Sequence, residues 1–374
     1  MPSNSGMAIP SHSGVGMSTT ATLRARGLPR PHLTATSANL DFLRAIAVMF
    51  VFIDHLFLTV GIQRIAFFSP ADLGRVGVYF FFVHTCLVLL MSLERTPLNG
   101  FRKVFHFYCR RMFRIYPLAV FFVLIVILCN VPQDVWGAGT APHDAHTIAA
   151  NLLLAQNVMG TACMFGPLWS LPLEVQMYLM LPLVFYLVRR ISPTTLLVLW
   201  GASVLGAVAY LPFRSSGHVL WRLDVIVFVP CFLGGAVAYQ MAQRSRPVIP
   251  GWLWPLTILG VLNVYLAFER QRYGWLACLL LGLSVPFFAQ IQHEWLTRAA
   301  KWIATYSYGI YLSNIVILWF AFRICARWMP RFVVWSVFIA GAVAVPIACF
   351  HLIEKPLMKM GGSLADRFFR TEAA

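Results

Sequence analysis

Ten runs of mostly apolar residues divide the sequence, and this pattern constrains the fold more than any other feature. A helix needs about 20 consecutive apolar residues to cross the hydrocarbon core of a bilayer. The chain is 59% hydrophobic and only 11% charged, whereas a soluble domain carries about 25% charged residues. We therefore predict an all-α fold, a polytopic membrane helix bundle of about ten transmembrane helices. The predicted spans are 43–61, 75–93, 114–130, 167–188, 195–213, 221–242, 251–268, 273–291, 302–322 and 331–353.

The basic residues lie mostly on one side of these runs. With the N-terminus in the cytoplasm, the cytoplasmic segments hold 20 Lys and Arg residues and the opposite segments hold 9, which together make the 29 of the chain. Cytoplasmic loops of membrane proteins are enriched in Lys and Arg, so both termini are predicted to be cytoplasmic. Topology then explains the formal charge of +16, with membrane lipids and an anionic substrate as partners and no nucleic acid.

The segments outside the apolar runs set the domain boundaries. Residues 1–38 are rich in Ser, Thr, Gly and Pro and lack the apolar core of a cleavable signal sequence. We predict a disordered cytoplasmic tail over 1–38, one membrane domain over 39–358 and a cytoplasmic tail over 359–374. The longest outer connection, 131–166, contains no Lys or Arg and could fold back over the outer mouth. The eight cysteines show no metal-ligand spacing, so no metal site is expected.

The first apolar run carries ionisable side chains, which are costly at membrane depth and usually face a cavity or a partner. Arg44 and His55 are eleven positions apart, so on a helix they share one face and lie about 16 Å apart along its axis. This geometry suits a ligand with an anionic end at the surface and a reactive end at depth. Imidazole titrates near neutrality, so His55 could remove a proton from an acceptor hydroxyl; the alternative is a histidine hydrogen bonded to a neighbouring helix.

Two further ionisable groups in the first two runs carry weaker predictions. Asp54 points about 80° away from Arg44, and a structural pairing and a catalytic role are equally compatible with its position. His84 falls near the middle of the second run. It is a secondary candidate, on a par with a packed, hydrogen-bonded histidine.

A cluster of basic residues precedes the third run. It contains Arg110, Arg111 and Arg114, and Tyr116 and Pro117 follow. Arginines bind phosphates through forked, charge-assisted hydrogen bonds, but positive-inside topology would produce the same cluster, and charge alone favours topology. Because Arg114 directly enters an apolar run, we include the cluster among the candidate ligands of an anionic substrate.

The fourth run begins with Trp169 and carries Glu174. This run is predicted to pass from outside to inside, which places Glu174 roughly 10 Å below the outer surface. A carboxylate that meets His55 at this depth would orient the ring and strengthen it as a base. The alternative is that Glu174 bonds across helices as a structural clamp.

Five motifs in these segments resemble the acyltransferase-3 family of bacterial membrane O-acyltransferases, which modify exopolysaccharides, O-antigen, Nod factors and similar acceptors. The resemblance runs from Leu40 to Pro356. Its most specific part is an Arg-x10-His signature, matched by Arg44 and His55. The other matching segments are Arg111–Pro117, Trp169–Tyr178, Tyr306–Leu312 and Ile353–Pro356. The chain departs from the family pattern at Asn314, where many members have a histidine.

The resemblance implies an acyl-CoA donor, usually acetyl-CoA, which is a substrate and not a permanently bound cofactor. It also implies a glycan or lipid-linked sugar acceptor, such as an exopolysaccharide, and a location in the bacterial inner membrane. We predict that Arg44 and the third-run cluster (Arg110, Arg111, Arg114 and Tyr116) bind CoA. His55, assisted by Glu174 and accompanied by Asp54, is predicted to form the catalytic group.

Two rival interpretations remain open from the sequence. Ten spans with buried charges also describe a transporter or flippase, although such proteins usually consist of two related halves. The other rival is a member of the same family that acylates a small natural product. Because the sequence stops soon after the tenth run, we expect this domain to act alone or to pass its acyl group to a separate partner.

Overall fold

The computed structural model describes residues 37–65, 68–133, 139–215, 222–269 and 273–370. Over these ranges the chain is helical, and β-structure is confined to two isolated bridges, Ile65–Phe68 and Ile249–Phe288. The predicted all-α polytopic helix bundle is therefore confirmed. Residues 1–36 of the predicted N-terminal tail lie outside the described residues.

Thirteen α-helices are numbered in chain order over the described ranges. They are α1 (Ala38–Thr59), α2 (Pro70–Arg95), α3 (Gly100–Cys129), α4 (Ala145–Leu152), α5 (Gln156–Met159), α6 (Leu171–Val188), α7 (Pro193–Ser215), α8 (Val225–Ala242), α9 (Trp254–Val264), α10 (Trp275–Ser284), α11 (Glu294–Trp319), α12 (Arg331–Cys349) and α13 (Lys355–Arg370). Single π-helical turns extend α9, α11 and α12 at their C-terminal ends. A 3₁₀ turn, Gly166–Trp169, leads into α6.

Nine helices of the described chain are long and apolar enough to cross a membrane. The eighth predicted span, 273–291, forms a shorter apolar helix, Trp275–Phe287, which covers about 20 Å of a hydrocarbon core about 30 Å thick. The residues after it return to the side where α1 begins, because the Asn39 amide donates to the Ala289 carbonyl at 2.9 Å and its oxygen accepts from the Ile291 N–H at 2.9 Å. The eighth predicted span is thus formed by a short helix followed by extended chain.

We call the side where α1 begins the inner face and the side where it ends the outer face. Helix α13 packs along the first half of α3. The His106 Nε2 lies 3.4 Å from an Asp366 oxygen, and the Cys109 thiol donates to the Gly361 carbonyl at 3.6 Å. The described chain therefore begins and ends on the same face, as the charge distribution of the sequence predicts.

Helix α2 lies at the centre of the bundle, since 78% of its apolar stretch is buried inside the protein. It packs mainly against α1 and α8, while α1 also packs against α11. Helix α7 lies at the periphery, since only 17% of its apolar stretch is buried inside the protein. Its apolar surface is left for lipid.

Small residues permit a close crossing between helices α8 and α10. A Cβ atom on Gly282 would overlap the Gly234 carbonyl oxygen. Membrane helices associate through such close backbone contacts because van der Waals packing must replace the hydrophobic effect, which does not drive association within lipid. The crossing holds the short helix α10 against the core.

The described part of the outer connection folds against the bundle. Asp144 caps α4 by accepting a hydrogen bond from the Thr147 N–H at 2.9 Å. Hydrogen bonding to Thr147 lowers the pKa of the Asp144 carboxyl. The Asn151 side chain ties α4 to the chain ahead of α6, donating to Ala162 and accepting from Met164, each at 2.9 Å. The connection therefore delivers the 3₁₀ turn to the outer side of the site in a fixed position.

Candidate active site between two cavities

An inner cavity lies between α1, α2, α3, α6 and α11. The empty space between these helices, including the solvent at its open mouth, is about 810 Å³. Its ionisable lining side chains are Arg44, His84, Arg111, Arg114, Glu174 and the three tyrosines Tyr178, Tyr308 and Tyr311. The apolar part of its wall comes mainly from α2.

The three arginines of this cavity differ in their partners. Arg114 pairs with Glu354 at 2.6 Å between Nη1 and Oε2, and Glu354 is only 1% exposed. The Nε atoms of Arg44 and Arg111 are buried and have no hydrogen-bond partner among the described residues. A buried polar group without a partner is costly. The cavity therefore has two guanidinium groups available for an anionic ligand.

Glu174 moderates this positive charge. Its Oε1 accepts a hydrogen bond from the Tyr178 hydroxyl at 2.6 Å, and its charge interacts with those of Arg44 and Arg111. With Glu354 on Arg114, the cavity carries three positive and two negative side chains. The remaining positive charge favours an anion.

An outer cavity lies on the other side of the same helices. It holds about 1070 Å³ with its open mouth. The side chains around it are Val51, Asp54, His55, Arg75, Val78, Tyr79, Trp169, Phe228, Tyr273 and Tyr311, with the small residues Ala71, Gly74 and Pro167. Pro167 and Trp169 come from the 3₁₀ turn, which directly follows the predicted outer connection 131–166.

His55 lies in this outer cavity with its ring held by Asn314. The distance from His55 Nδ1 to Asn314 Oδ1 is 2.8 Å. The Asn314 amide nitrogen donates to the Tyr311 carbonyl at 2.9 Å, which fixes the amide with its oxygen toward the ring. Because that oxygen can only accept, Nδ1 carries the proton and the lone pair lies on Nε2. No described residue hydrogen bonds Nε2, so this atom is available as a base.

The two cavities meet at two shared side chains, Val78 and Tyr311. The Tyr311 hydroxyl donates to the Pro167 carbonyl at 3.0 Å and lies 2.7 Å from the Ser170 hydroxyl, which must then be the donor of that second bond. These bonds connect α11 to the turn ahead of α6. Cationic groups on the inner side and an imidazole on the outer side are thus separated by one layer of side chains.

The predicted pairing of His55 with Glu174 is not formed. Glu174 bonds Tyr178 in the inner cavity, and the partner of His55 is Asn314. Helix α6, which carries Glu174, packs mainly against α2 and α8. Similar depth along the membrane normal therefore does not bring the two side chains together.

Two predicted members of the basic cluster lie outside the inner cavity. Arg110 is exposed, since it points about 100° away from Arg111 around α3. The Tyr116 hydroxyl donates to the Leu153 carbonyl at 3.0 Å, toward the outer connection. The structure does not place Arg110 or Tyr116 with the other candidate ligands.

The two weaker candidates occupy different cavities. His84 is buried in α2 and lines the inner cavity beside Arg44. Asp54 is buried in α1 and lines the outer cavity beside His55.

Sequence reasoning missed two residues that shape the site. Asn314 entered the analysis only as a departure from the family pattern, and Glu354 only as part of a closing motif. A carboxylate at the end of an apolar run is a signal that could have identified Glu354 as the partner of an arginine. Nothing in the sequence alone indicates that α11 brings Asn314 to His55.

This fold and site define a multi-pass membrane protein with an arginine-lined inner cavity and a histidine-containing outer cavity. The model of the acyltransferase domain of the acyltransferase-3 family matches residues 37–351. The chain therefore belongs to this family, which confirms the resemblance drawn from its motifs.

Two curated relatives are similar to most of this chain. The peptidoglycan O-acetyltransferase OatA of Listeria monocytogenes is 28% identical over 362 residues, which covers 86% of this chain and 56% of the relative. YrhL of Bacillus subtilis, provisionally named a peptidoglycan O-acetyltransferase, is 25% identical over 368 residues, covering 86% of this chain and 55% of the relative. The chain thus spans little more than half the length of these relatives. No solved structure matches it.

Proposed function

We propose that this protein is a membrane O-acyltransferase that moves an acyl group, in the simplest case acetyl, from acyl-CoA to a hydroxyl of a sugar-containing acceptor. The observation that carries the proposal is the contact of the two cavities at Val78 and Tyr311. An anionic donor and a neutral hydroxyl acceptor need different binding sites that meet at the reacting atoms. The two cavities meet this requirement.

The inner cavity suits the donor. Arg44 and Arg111 present guanidinium groups whose Nε atoms lack partners among the described residues, and phosphate oxygens are good ligands for such groups. Arg114 is already paired with Glu354, so it holds the wall together and adds to the positive field. Acyl-CoA would enter at the inner face and extend its thioester toward Val78 and Tyr311.

The outer cavity suits the acceptor and the base. In the proposed step, His55 Nε2 takes the proton of an acceptor hydroxyl while the hydroxyl oxygen attacks the thioester carbonyl carbon. A carbon–oxygen bond forms, the carbon–sulfur bond breaks, and CoA leaves as a thiolate that takes up the proton held by His55 Nε2, which restores the neutral imidazole. Asn314 keeps the proton on Nδ1 and so keeps the lone pair on Nε2.

Glu174 has a different role in this proposal from the one the sequence suggested. It lies among the arginines of the inner cavity and limits their mutual repulsion while the donor site is empty. It does not act through the imidazole.

A cell-envelope glycan is the acceptor we propose. The two relatives are named for transfer to peptidoglycan, and the outer cavity opens on the face opposite the predicted cytoplasmic side. Peptidoglycan, an exopolysaccharide and a lipid-linked sugar all present hydroxyl groups at this face. The proposal places the protein in the inner membrane of a bacterium.

The donor half of the proposal is tested by acetyl-CoA binding to the purified protein in detergent. Arg111→Ala is expected to weaken binding about 10- to 100-fold, the range for one hydrogen-bonded charge of roughly 1.5–3 kcal/mol. Arg110→Ala is the matched control, since it removes the same charge from the exposed side of the same helix and should leave binding within about twofold.

The catalytic half is tested by slow hydrolysis of the bound thioester. His55→Ala should abolish hydrolysis and keep acetyl-CoA binding. If an intact, monodisperse sample binds neither acetyl-CoA nor longer acyl-CoAs, the acyltransferase proposal is wrong and a transporter becomes the better interpretation.

A further inference from the structure

A second carboxylate lies next to the candidate base. Asp54 precedes His55 on α1, is only 7% exposed and lines the same outer cavity. Burial of a carboxylate at membrane depth is costly unless a partner compensates for it. Its surroundings therefore indicate what that partner is.

One of its two oxygens lies against a neighbouring helix, and the other has no hydrogen-bond partner among the described residues. The Asp54 Oδ2 lies against α2 at Gly74, where a Cβ atom would overlap it, so this approach requires glycine. Asp54 Oδ1 is buried and has no hydrogen-bond partner among the described residues. The charge of Arg75 acts on Asp54, but its hydrogen bond is donated to Asp72 at 3.3 Å.

Aromatic side chains line the same cavity as this carboxylate. Trp169 is 37% exposed and its ring centroid lies 5.8 Å from that of Phe228. Tyr273 is half-buried and stacks on Trp275 at 5.1 Å. Aromatic rings present an apolar face to a flat ligand while their polar edges stay hydrogen bonded. A pyranose ring has such apolar faces, and its hydroxyl groups lie around its edge.

We propose that Asp54 is a specificity-determining residue that accepts a hydrogen bond from a second hydroxyl of the acceptor, close to the hydroxyl that His55 deprotonates. The acceptor is then a sugar with at least two hydroxyl groups near the site of acylation, and its ring lies on the aromatic wall. The inference rests on the proposed function, because it assigns the acceptor to the outer cavity.

The test is a set of acceptors compared across Asp54 variants. Methyl β-glucopyranoside and its monodeoxy derivatives are offered with acetyl-CoA, and kcat/KM for each glycoside is measured. In the wild type, one derivative that is still acylated should lose about 10- to 100-fold in kcat/KM, as expected for a lost hydrogen bond to a charged group. Asp54→Ala should show the same loss with the parent glycoside and no further loss with that derivative.

Two measurements separate this role from a structural one. Asp54→Asn keeps an acceptor oxygen and should recover part of the loss, whereas a carboxylate needed only as a counter-charge for Arg75 would not be replaced by an amide. The Kd for acetyl-CoA should stay unchanged in both variants, because Asp54 does not line the inner cavity.

Three results would overturn the inference. The first is a wild type in which every acylated monodeoxy glycoside reacts as well as the parent, a result that needs no variant to fold. The second is an Asp54→Ala variant in which the deoxy derivative still loses as much kcat/KM, relative to the parent glycoside, as it loses in the wild type. The third is a wild type that binds and hydrolyses acetyl-CoA but acylates no glycoside, which leaves the donor site standing and removes the sugar from the outer cavity.

Discussion

The hydrogen bond from His55 to Asn314 determines which imidazole nitrogen can act as the base, so its removal is the most informative perturbation of the site. In Asn314→Ala, the Nδ1–H group loses its acceptor at 2.8 Å. The ring is then free to rotate or to move its proton to Nε2. Either change removes the lone pair from the side that faces the acceptor.

The expected size of the effect follows from the contacts. A buried donor left without a partner costs about 1–3 kcal/mol. If the active tautomer and orientation must be restored for each turnover, about 1.4–2.8 kcal/mol of this is added to the barrier, which lowers kcat roughly 10- to 100-fold. The KM for acetyl-CoA should change by less than about twofold, because Asn314 lies outside the inner cavity.

The assay is steady-state transfer of radiolabelled acetyl to a glycoside by purified protein. Ser313→Ala is the matched control: this neighbour on α11 is fully buried and its hydroxyl has no partner among the described residues, so its removal should leave kcat within about threefold. Asn314→Asp keeps an acceptor oxygen toward the ring and should retain more activity than Asn314→Ala. A wild-type kcat in Asn314→Ala, or a loss confined to the KM for acetyl-CoA, would refute the reasoning.

Three further predictions concern stability and passage between the cavities. Glu354→Gln removes the buried carboxylate charge that pairs with Arg114, whose side chain is 18% exposed. It should destabilise the protein by about 3 kcal/mol, the lower end of the range for a buried pair, measured as a lower midpoint of thermal unfolding; Glu294→Gln, in an exposed pair, should change it little. Gly282→Ala places a Cβ against a backbone carbonyl and should cost about 1–3 kcal/mol, whereas Gly260→Ala, which faces open space, should be tolerated. Val78→Phe should leave the Kd for acetyl-CoA within about threefold and reduce transfer at least about tenfold, because a larger side chain stands where the cavities meet; equal losses of binding and transfer would argue against that boundary.

The sequence was a good guide to the bundle, because hydrophobic runs are a direct consequence of the bilayer. Nine predicted spans correspond to helices long enough to cross, within the chain that the structure describes. The eighth run was misjudged in length, since its C-terminal part leaves the helix after Phe287 and pairs with Ile249 and the start of α1. Hydropathy cannot distinguish an apolar helix from an apolar extended segment that is held by such contacts.

The site was predicted less completely than the fold. Helical periodicity and depth are properties of one segment, so Arg44 and His55 could be placed on α1 from their spacing alone. Which helices are neighbours is a tertiary property, and the sequence does not contain it in readable form. Glu174 was therefore predicted to pair with His55, whereas the structure gives His55 the partner Asn314.

The central claim is that donor and acceptor occupy cavities that open on opposite faces, and vesicles test it most directly. Purified protein is reconstituted into sealed vesicles with an N-acetylglucosamine oligomer trapped inside, and radiolabelled acetyl-CoA is added outside. The account predicts acetylated oligomer in these vesicles, none when both substrates are outside, and transfer restored to the second sample by detergent. Efficient transfer with both substrates outside sealed vesicles, and none across the membrane, would contradict the account.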